Sequence, residues 1–204
     1  MNRVTAYVDG FNLYHGLKAK HGRKYHWLDL QLMVTSLLRS DQELASVNYF
    51  TARIRNQPSS ERRQEDYLRA LDAAAPKLRI IEGRFQAKAS ICRHCGSTWT
   101  SYEEKETDVN LALSIARDAA RDRFDTCILI SGDADLCPAI RVTRELAPDK
   151  KVVVAFPPRR WSDALRNEAD ACFTIGDAKI RQAQLPDKVM LDNGLIVERP
   201  AYWR

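Results

Sequence analysis

The segment Ser131-Gly132-Asp133-Ala134-Asp135 directly follows the apolar run Cys127-Ile128-Leu129-Ile130. Two carboxylates therefore stand at the exit of an expected buried strand, where the chain turns into a helix. A second apolar run, Val4 to Val8, ends in Asp9-Gly10-Phe11-Asn12. Ligands of a parallel sheet bind beyond the carboxyl ends of its strands, so the two segments predict one shared acidic pocket. Clustered carboxylates repel one another, and a divalent cation relieves that repulsion. Hard oxygen donors suit Mg²⁺ or Mn²⁺, which keeps several waters and bridges substrate phosphates.

Asp108 adds a fourth acid. It opens an expected helix over 107–121, with Thr107 as N-cap, and Leu111, Ala112 and Ile115 follow at helical spacing. That phase predicts Asp108 at the tip of an inward-looking stripe, where a carboxylate must be paired, hydrogen-bonded or bound to metal. Each acid also has an ordinary reading: Asp133 and Asp135 as helix caps, Asp108 as a first-turn acid, Asp9 as a turn former with Gly10. Four such acids at one sheet edge favour the joint reading. Arg53 and Arg55 follow an apolar run over 47–52, and Arg159 and Arg160 follow one over 151–156. These arginines give the same edge a basic rim suited to phosphates.

The elements that must position these residues alternate. Strands are expected at 3–8, 47–52, 78–85, 125–130, 151–156 and 171–175. Helices are expected at 11–20, 28–39, 58–75, 107–121, 135–146 and 161–169. This rhythm predicts an α/β fold, a mainly parallel central sheet with helices on both faces. The domain is expected to span 1–176. The remaining 177–204 reads as a C-terminal hairpin tail, turned by Asn193-Gly194 between apolar runs.

Lys and Arg number 32 against 27 Asp and Glu, and the net charge of +5 has the sign expected for a polyanion partner. No apolar run is long enough to cross a bilayer, and the N-terminus lacks a signal-peptide layout, so the expected address is cytoplasmic, without membrane contact. Cys127, Cys137 and Cys172 fall on core elements. Cys92-Arg93-His94-Cys95 supplies only two of the four ligands of a structural zinc site, which makes zinc there the less favoured reading unless two chains share an ion. A homo-oligomer stays open on that account. Free thiols on a substrate-facing loop, with Trp99 and Tyr102 available for stacking, are the alternative.

Three blocks resemble those of NYN domains, in the PIN-like nuclease superfamily, with the bacterial LabA-like group most similar. They are Tyr7-Val-Asp-Gly-Phe-Asn-Leu-Tyr14, Glu104-Lys-Glu-Thr-Asp-Val-Asn-Leu-Ala112 and Leu129-Ile-Ser-Gly-Asp-Ala-Asp-Leu136. The resemblance implies a PIN-like, Rossmann-related fold and a divalent-metal-dependent ribonuclease acting on RNA, single-stranded above all. It implies Asp9, Asp108, Asp133 and Asp135 as the catalytic and metal-binding acids, with Asn12 and Ser131 in support. Glu106 departs from the glycine that many relatives have there, adding bulk and charge beside the pocket. Two readings compete with it. A non-catalytic RNA-binding scaffold should have lost an acid, and a haloacid-dehalogenase-like phosphohydrolase needs Asp-x-Asp where this chain has Asp9-Gly10-Phe11.

Overall fold

A computed structural model describes residues 1–203, with the side chains of Phe85, Ala87, Trp99 and 101–104 outside the description. The proposed stacking roles of Trp99 and Tyr102 therefore fall outside the described side chains. The chain begins with β1 (Asn2–Asp9), α1 (Gly10–His21), α2 (Leu30–Thr35), β2 (Gln42–Ala52) and α3 (Pro58–Ala74). It continues through a long antiparallel pair, β3 (Leu78–Ile91) and β4 (Thr98–Lys105), into α4 (Thr107–Ala120). Then follow β5 (Thr126–Ile130), a short 3-10 turn (Ala134–Leu136), α5 (Cys137–Leu146), β6 (Lys151–Phe156), α6 (Asp163–Glu168) and β7 (Ala171–Thr174). The last elements are α7 (Asp177–Gln182) and the hairpin β8 (Lys188–Met190) with β9 (Ile196–Glu198).

Among the described residues the main sheet has the strand order β4-β3-β2-β1-β5-β6-β7, parallel throughout except for β3 with β4. Successive side chains of a strand point to opposite faces, and the central strands supply both cores by this rule. Val4, Ala6 and Val8 of β1, with Ile128 and Ile130 of β5, pack with Leu13, Met33, Leu71 and Trp203. Tyr7, Cys127 and Leu129 turn the other way and pack with Leu111, Ile115, Ile140 and Leu165. A strand buried on both faces must be apolar nearly throughout, which is why β5 reads Thr-Cys-Ile-Leu-Ile and is buried at every position.

The departures from the sequence expectations have local causes. Thr98–Lys105 forms a strand although its pattern is polar, because its backbone pairs across a hairpin with β3. The segment 177–204 is not a hairpin alone: it opens with the short helix α7, anchored by buried Ile180. The expected Asn193-Gly194 turn is present, with Gly194 at φ 79° and the Leu191 N–H donating to the Leu195 carbonyl at 2.8 Å. The tail is docked rather than loose. Val189, Val197 and Trp203 enter the first core, and the Trp27 indole N–H donates to the Pro186 carbonyl at 2.7 Å. No described helix is long and apolar enough to cross a membrane.

Gly16 holds α1 against the loop after β6. A Cβ at this position would lie 2.6 Å from the Pro158 carbonyl oxygen and 3.0 Å from Pro157. Helix propensity favours Ala over Gly by about 1 kcal/mol, whereas forcing a methyl into backbone costs about 1–3 kcal/mol. Gly16→Ala is therefore expected to lower the midpoint of chemical unfolding. A midpoint at or above that of the parent chain would show that the loop yields freely.

Candidate active site

The sheet reverses its winding direction between β1 and β5: the chain steps from β1 to β2 and β3 on one side, and from β5 to β6 and β7 on the other. Such a switch point leaves a crevice beyond the strand ends. Asp9 is the last residue of β1, and Ser131 is the first residue after β5. Val8 pairs with Ile130, so the register sets these two side by side.

Asp9 is 3% exposed, and both its oxygens accept hydrogen bonds. One caps α1, accepting from the Asn12 N–H at 2.9 Å. The other accepts from the Ser131 hydroxyl at 2.8 Å. Bonds of this kind to a charged acceptor offset much of the cost of burying a carboxylate. The Ser131 oxygen in turn accepts from the Asp133 N–H at 3.0 Å, and the Asp133 carboxylate accepts from the Asp135 N–H at 3.0 Å. Asn12 completes the loop by accepting from the Gly132 N–H at 3.0 Å. Asp133 thus has the capping role foreseen for it, at the start of the 3-10 turn.

Asp108 lies across from this relay at the first turn of α4. Its carboxyl is pushed above the usual range, first by partial burial and then by the charges of Asp133 and Asp135. A helix N-terminus favours a negative charge, and the net upward shift means that the like charges and desolvation outweigh it. Asp108 does not sit on the inward stripe. Thr107, Leu111, Ser114 and Ile115 form that stripe, and Asp108 is rotated out toward solvent. Nor is Thr107 the N-cap: Glu106 takes that place in a left-handed conformation, φ 74°. The Glu106 carboxylate pairs with Arg84 at 2.6 Å. Among the described residues, no three His, Cys, Asp or Glu side chains converge closely enough to enclose one metal ion. The acids line an opening rather than forming a closed cage.

The four arginines separate. Arg53 is committed to two carboxylates, Glu65 on α3 and Glu82 on β3, the latter at 2.8 Å. Arg55 is exposed beyond β2. Arg159 and Arg160 occupy the loop after β6, and this loop meets the acid segment. A Cβ on Gly132 would lie 2.3 Å from the Arg160 carbonyl oxygen. The residues that sequence reading missed are this glycine contact and the exposed rings of Phe11 and Trp161 beside it. Their signal was a large ring next to a chemistry-bearing segment.

Cys92 and Cys95 sit at the tip of the β3–β4 hairpin. The turn is closed by the Cys92 N–H donating to the Ser97 carbonyl at 2.8 Å and by Gly96 at φ 70°. At about 3.3 Å per residue, the tip lies up to roughly 30 Å beyond Gly83, where β3 leaves β2. Cys127 and Cys137 are buried and Cys172 is half-buried, consistent with core roles.

Two predictions follow from these electrostatics. A carboxyl whose folded-state proton affinity is raised costs stability at neutral pH and none below the unfolded value near 3.9. Without divalent ions, Asp108→Asn is therefore expected to raise Tm at pH 7, and the gain should vanish below about pH 4. An equal gain at pH 3 would exclude the charge mechanism. The exposed Cys95 thiol is drawn down to about 7, chiefly by its hydrogen bond with the Ser97 hydroxyl at 3.1 Å. Its alkylation by iodoacetamide should reach half its maximal rate near pH 7, and Ser97→Ala should move that midpoint upward.

Comparison with known proteins agrees with this architecture. A protein of unknown function from Vibrio parahaemolyticus, VPA0982, superimposes with a TM-score of 0.58 at 23% identity, covering 86% of this chain and 94% of its own. That likeness shows a common fold. The 6-hydroxy-3-succinoylpyridine 3-monooxygenase HspA of Pseudomonas putida is 30% identical over 191 aligned positions, covering 76% of this chain. The match spans 59% of HspA's length. The NYN domain matches residues 3–176, nearly the whole sheet with its helices, and the chain belongs to that family of PIN-like nucleases.

Proposed function

We propose that this NYN domain is a ribonuclease that hydrolyses phosphodiester bonds of single-stranded RNA with a divalent metal ion, Mg²⁺ or Mn²⁺. The observation that carries the reading is the convergence of Asp108, whose carboxyl is raised by burial and by the charges of Asp133 and Asp135, on the segment that Asp9 and Ser131 anchor. Their donor chemistry fits a hard cation: oxygen ligands only, and a local excess of negative charge. An all-protein cage is not required, since Mg²⁺ is commonly held by one or two carboxylates, with waters and substrate phosphates completing its shell. When bound, the ion would supply charge for the phosphoryl oxygens and a more acidic water.

The residues divide the work. Asp108, Asp133 and Asp135 are the proposed ligands. Asp9 is buried and doubly hydrogen-bonded, so its part is to hold Ser131 and, through it, the Asp133 loop. Asn12 fixes the same loop at Gly132. The exposed Asp135 carboxylate is the group proposed to orient an entering water. Arg159 and Arg160 give phosphates a basic approach, with Arg55 as an outlying contact. Arg53 contributes to that approach only where phosphate displaces its two carboxylate partners.

Incubation with labelled single-stranded RNA, duplex RNA and DNA, in Mg²⁺, Mn²⁺ or EDTA, tests the reading. Cleavage of single-stranded RNA in either metal and none in EDTA is expected. Asp133→Asn keeps a capping oxygen and should fold normally, yet lose roughly 100-fold or more of the cleavage rate, at or beyond the upper end for disturbed metal-site partners. Parent-like cleavage by this variant across a divalent titration would remove Asp133 from the site. Intact RNA in both metals, with retained binding, would favour a scaffold. Monooxygenation of 6-hydroxy-3-succinoylpyridine by the same preparation, supplied with O₂ and a reductant, would instead extend the activity named for HspA to this chain.

A further inference from the structure

The loop that carries Arg159 and Arg160 and the first turn of α1 leave two rings exposed near the acids, Phe11 and Trp161. Phe11, two residues after Asp9, is 53% exposed, and its ring lies 4.2 Å from that of His15. Tyr14, 42% exposed, stands apart from Phe11 and Trp161, its ring packed against that of His26 at 4.7 Å. Trp161 is 51% exposed. It rests on the buried ring of Phe156 at 4.4 Å, and its indole N–H donates to Asp163 at 3.2 Å. It is a plate with a rigid backing, held at its edge.

Phe11 and Trp161 share this edge of the fold, because the Phe11 ring packs on His15 and His15 feels the charge of Arg160, the residue before Trp161. Gly16 of α1 packs against Pro157, Pro158 and Arg160, which brings the helix onto the loop that leads into Trp161. Partial burial, then the charges of Arg160 and Lys18, hold His15 below the usual imidazole range, so at pH 7 it is a neutral ring and not a cation. Cations accompany the rings: the charges of Arg160 and Lys18 reach His15, and Arg159 and Arg160 precede Trp161. Exposed rings interleaved with basic groups match a polyanion that also offers flat apolar faces. Unpaired bases offer such faces, whereas a duplex has already stacked its own.

We propose that Phe11 and Trp161 form a stacking platform for the bases of single-stranded RNA, with Lys18, Arg159 and Arg160 holding its phosphates. The proposal rests on the RNA reading above and deepens it: the platform gives the strand a fixed entry to the acid crevice and selects against duplexes. Stacking on aromatic side chains tolerates any base, so the platform implies strand preference without sequence preference.

The test is equilibrium binding in EDTA of a single-stranded RNA carrying 2-aminopurine, beside the matched duplex. The parent chain is expected to quench the aminopurine on binding. Phe11→Ala and Trp161→Ala should each weaken single-strand binding roughly 5- to 100-fold, the range for loss of one stacked base. Trp161→Phe, which keeps a ring on Phe156, should retain most of the affinity, and this variant separates stacking from any loss of folding. Duplex affinity should stay unchanged in all three. Unchanged single-strand affinity in both alanine variants, equal loss for the duplex, or no quenching by the parent would overturn the platform. Quenching and tight binding by a parent that cleaves no RNA in Mg²⁺ or Mn²⁺ would end the nuclease reading and leave the platform standing.

Discussion

The Ser131 hydroxyl is the joint on which the rest of the crevice depends. It donates to a buried carboxylate at the end of one central strand and accepts from the backbone that leads away from the other. A lone carboxylate in this position would be costly to bury. Here Asp9 caps a helix and binds a hydroxyl, and each bond also fixes a segment of chain. The geometry follows from the sheet: β1 and β5 are parallel neighbours in register, so residues one step past their paired ends must meet. Shortening either strand by one residue would turn its side chain to the opposite face and open the joint.

Much of this was legible because the central strands are buried on both sides. Their runs of apolar residues are interrupted only where the chain leaves the sheet, so Asp9 and Ser131 announce the edge by their polarity alone. The Asn193-Gly194 turn was legible for another reason, since its backbone needs a conformation that Gly adopts without strain. Elsewhere the pattern carried less. The face of Asp108 hinges on helix phase, and a shift of one residue rotates a side chain by about 100°; Thr107 takes the inward place. Arg53 is neutralised by partners 12 and 29 residues away, on elements that only the tertiary fold brings close. The strand β4 is polar and is defined by its partner, not by burial of one face.

Glu106 illustrates how a departure from a family pattern can be accommodated. Its φ of 74° lies where glycine is free and a residue with a Cβ is strained by roughly 1–2 kcal/mol. Gly83, close by on β3, has no room for a side chain, because a Cβ there would lie 2.4 Å from the Thr107 hydroxyl oxygen. The root of the β3–β4 hairpin therefore abuts the first turn of α4 directly. The ion pair of Glu106 with Arg84 ties the same two elements and directs the extra charge to the hairpin. The acid that the sequence adds beside the pocket is, in the fold, paired with Arg84 at the root of the hairpin.

The crevice is consequently rigid on one wall and open on the other. Asp9 and Ser131 are buried, with short hydrogen bonds, and cannot rearrange without breaking the sheet edge. Asp108 and Asp135 keep solvent contact, and the charges of Asp133 and Asp135 raise the proton affinity of Asp108. A basic chain that maintains an acidic opening is therefore not a contradiction. Under the proposed function, arginines set beside the opening would draw in a polyanion over distances of about a Debye length, while the acids would act only at contact, on the cation that accompanies it. The two sets of charges would then work at different ranges, so that one small edge of the sheet would both attract a phosphate chain and hold the ion that the proposed cleavage needs.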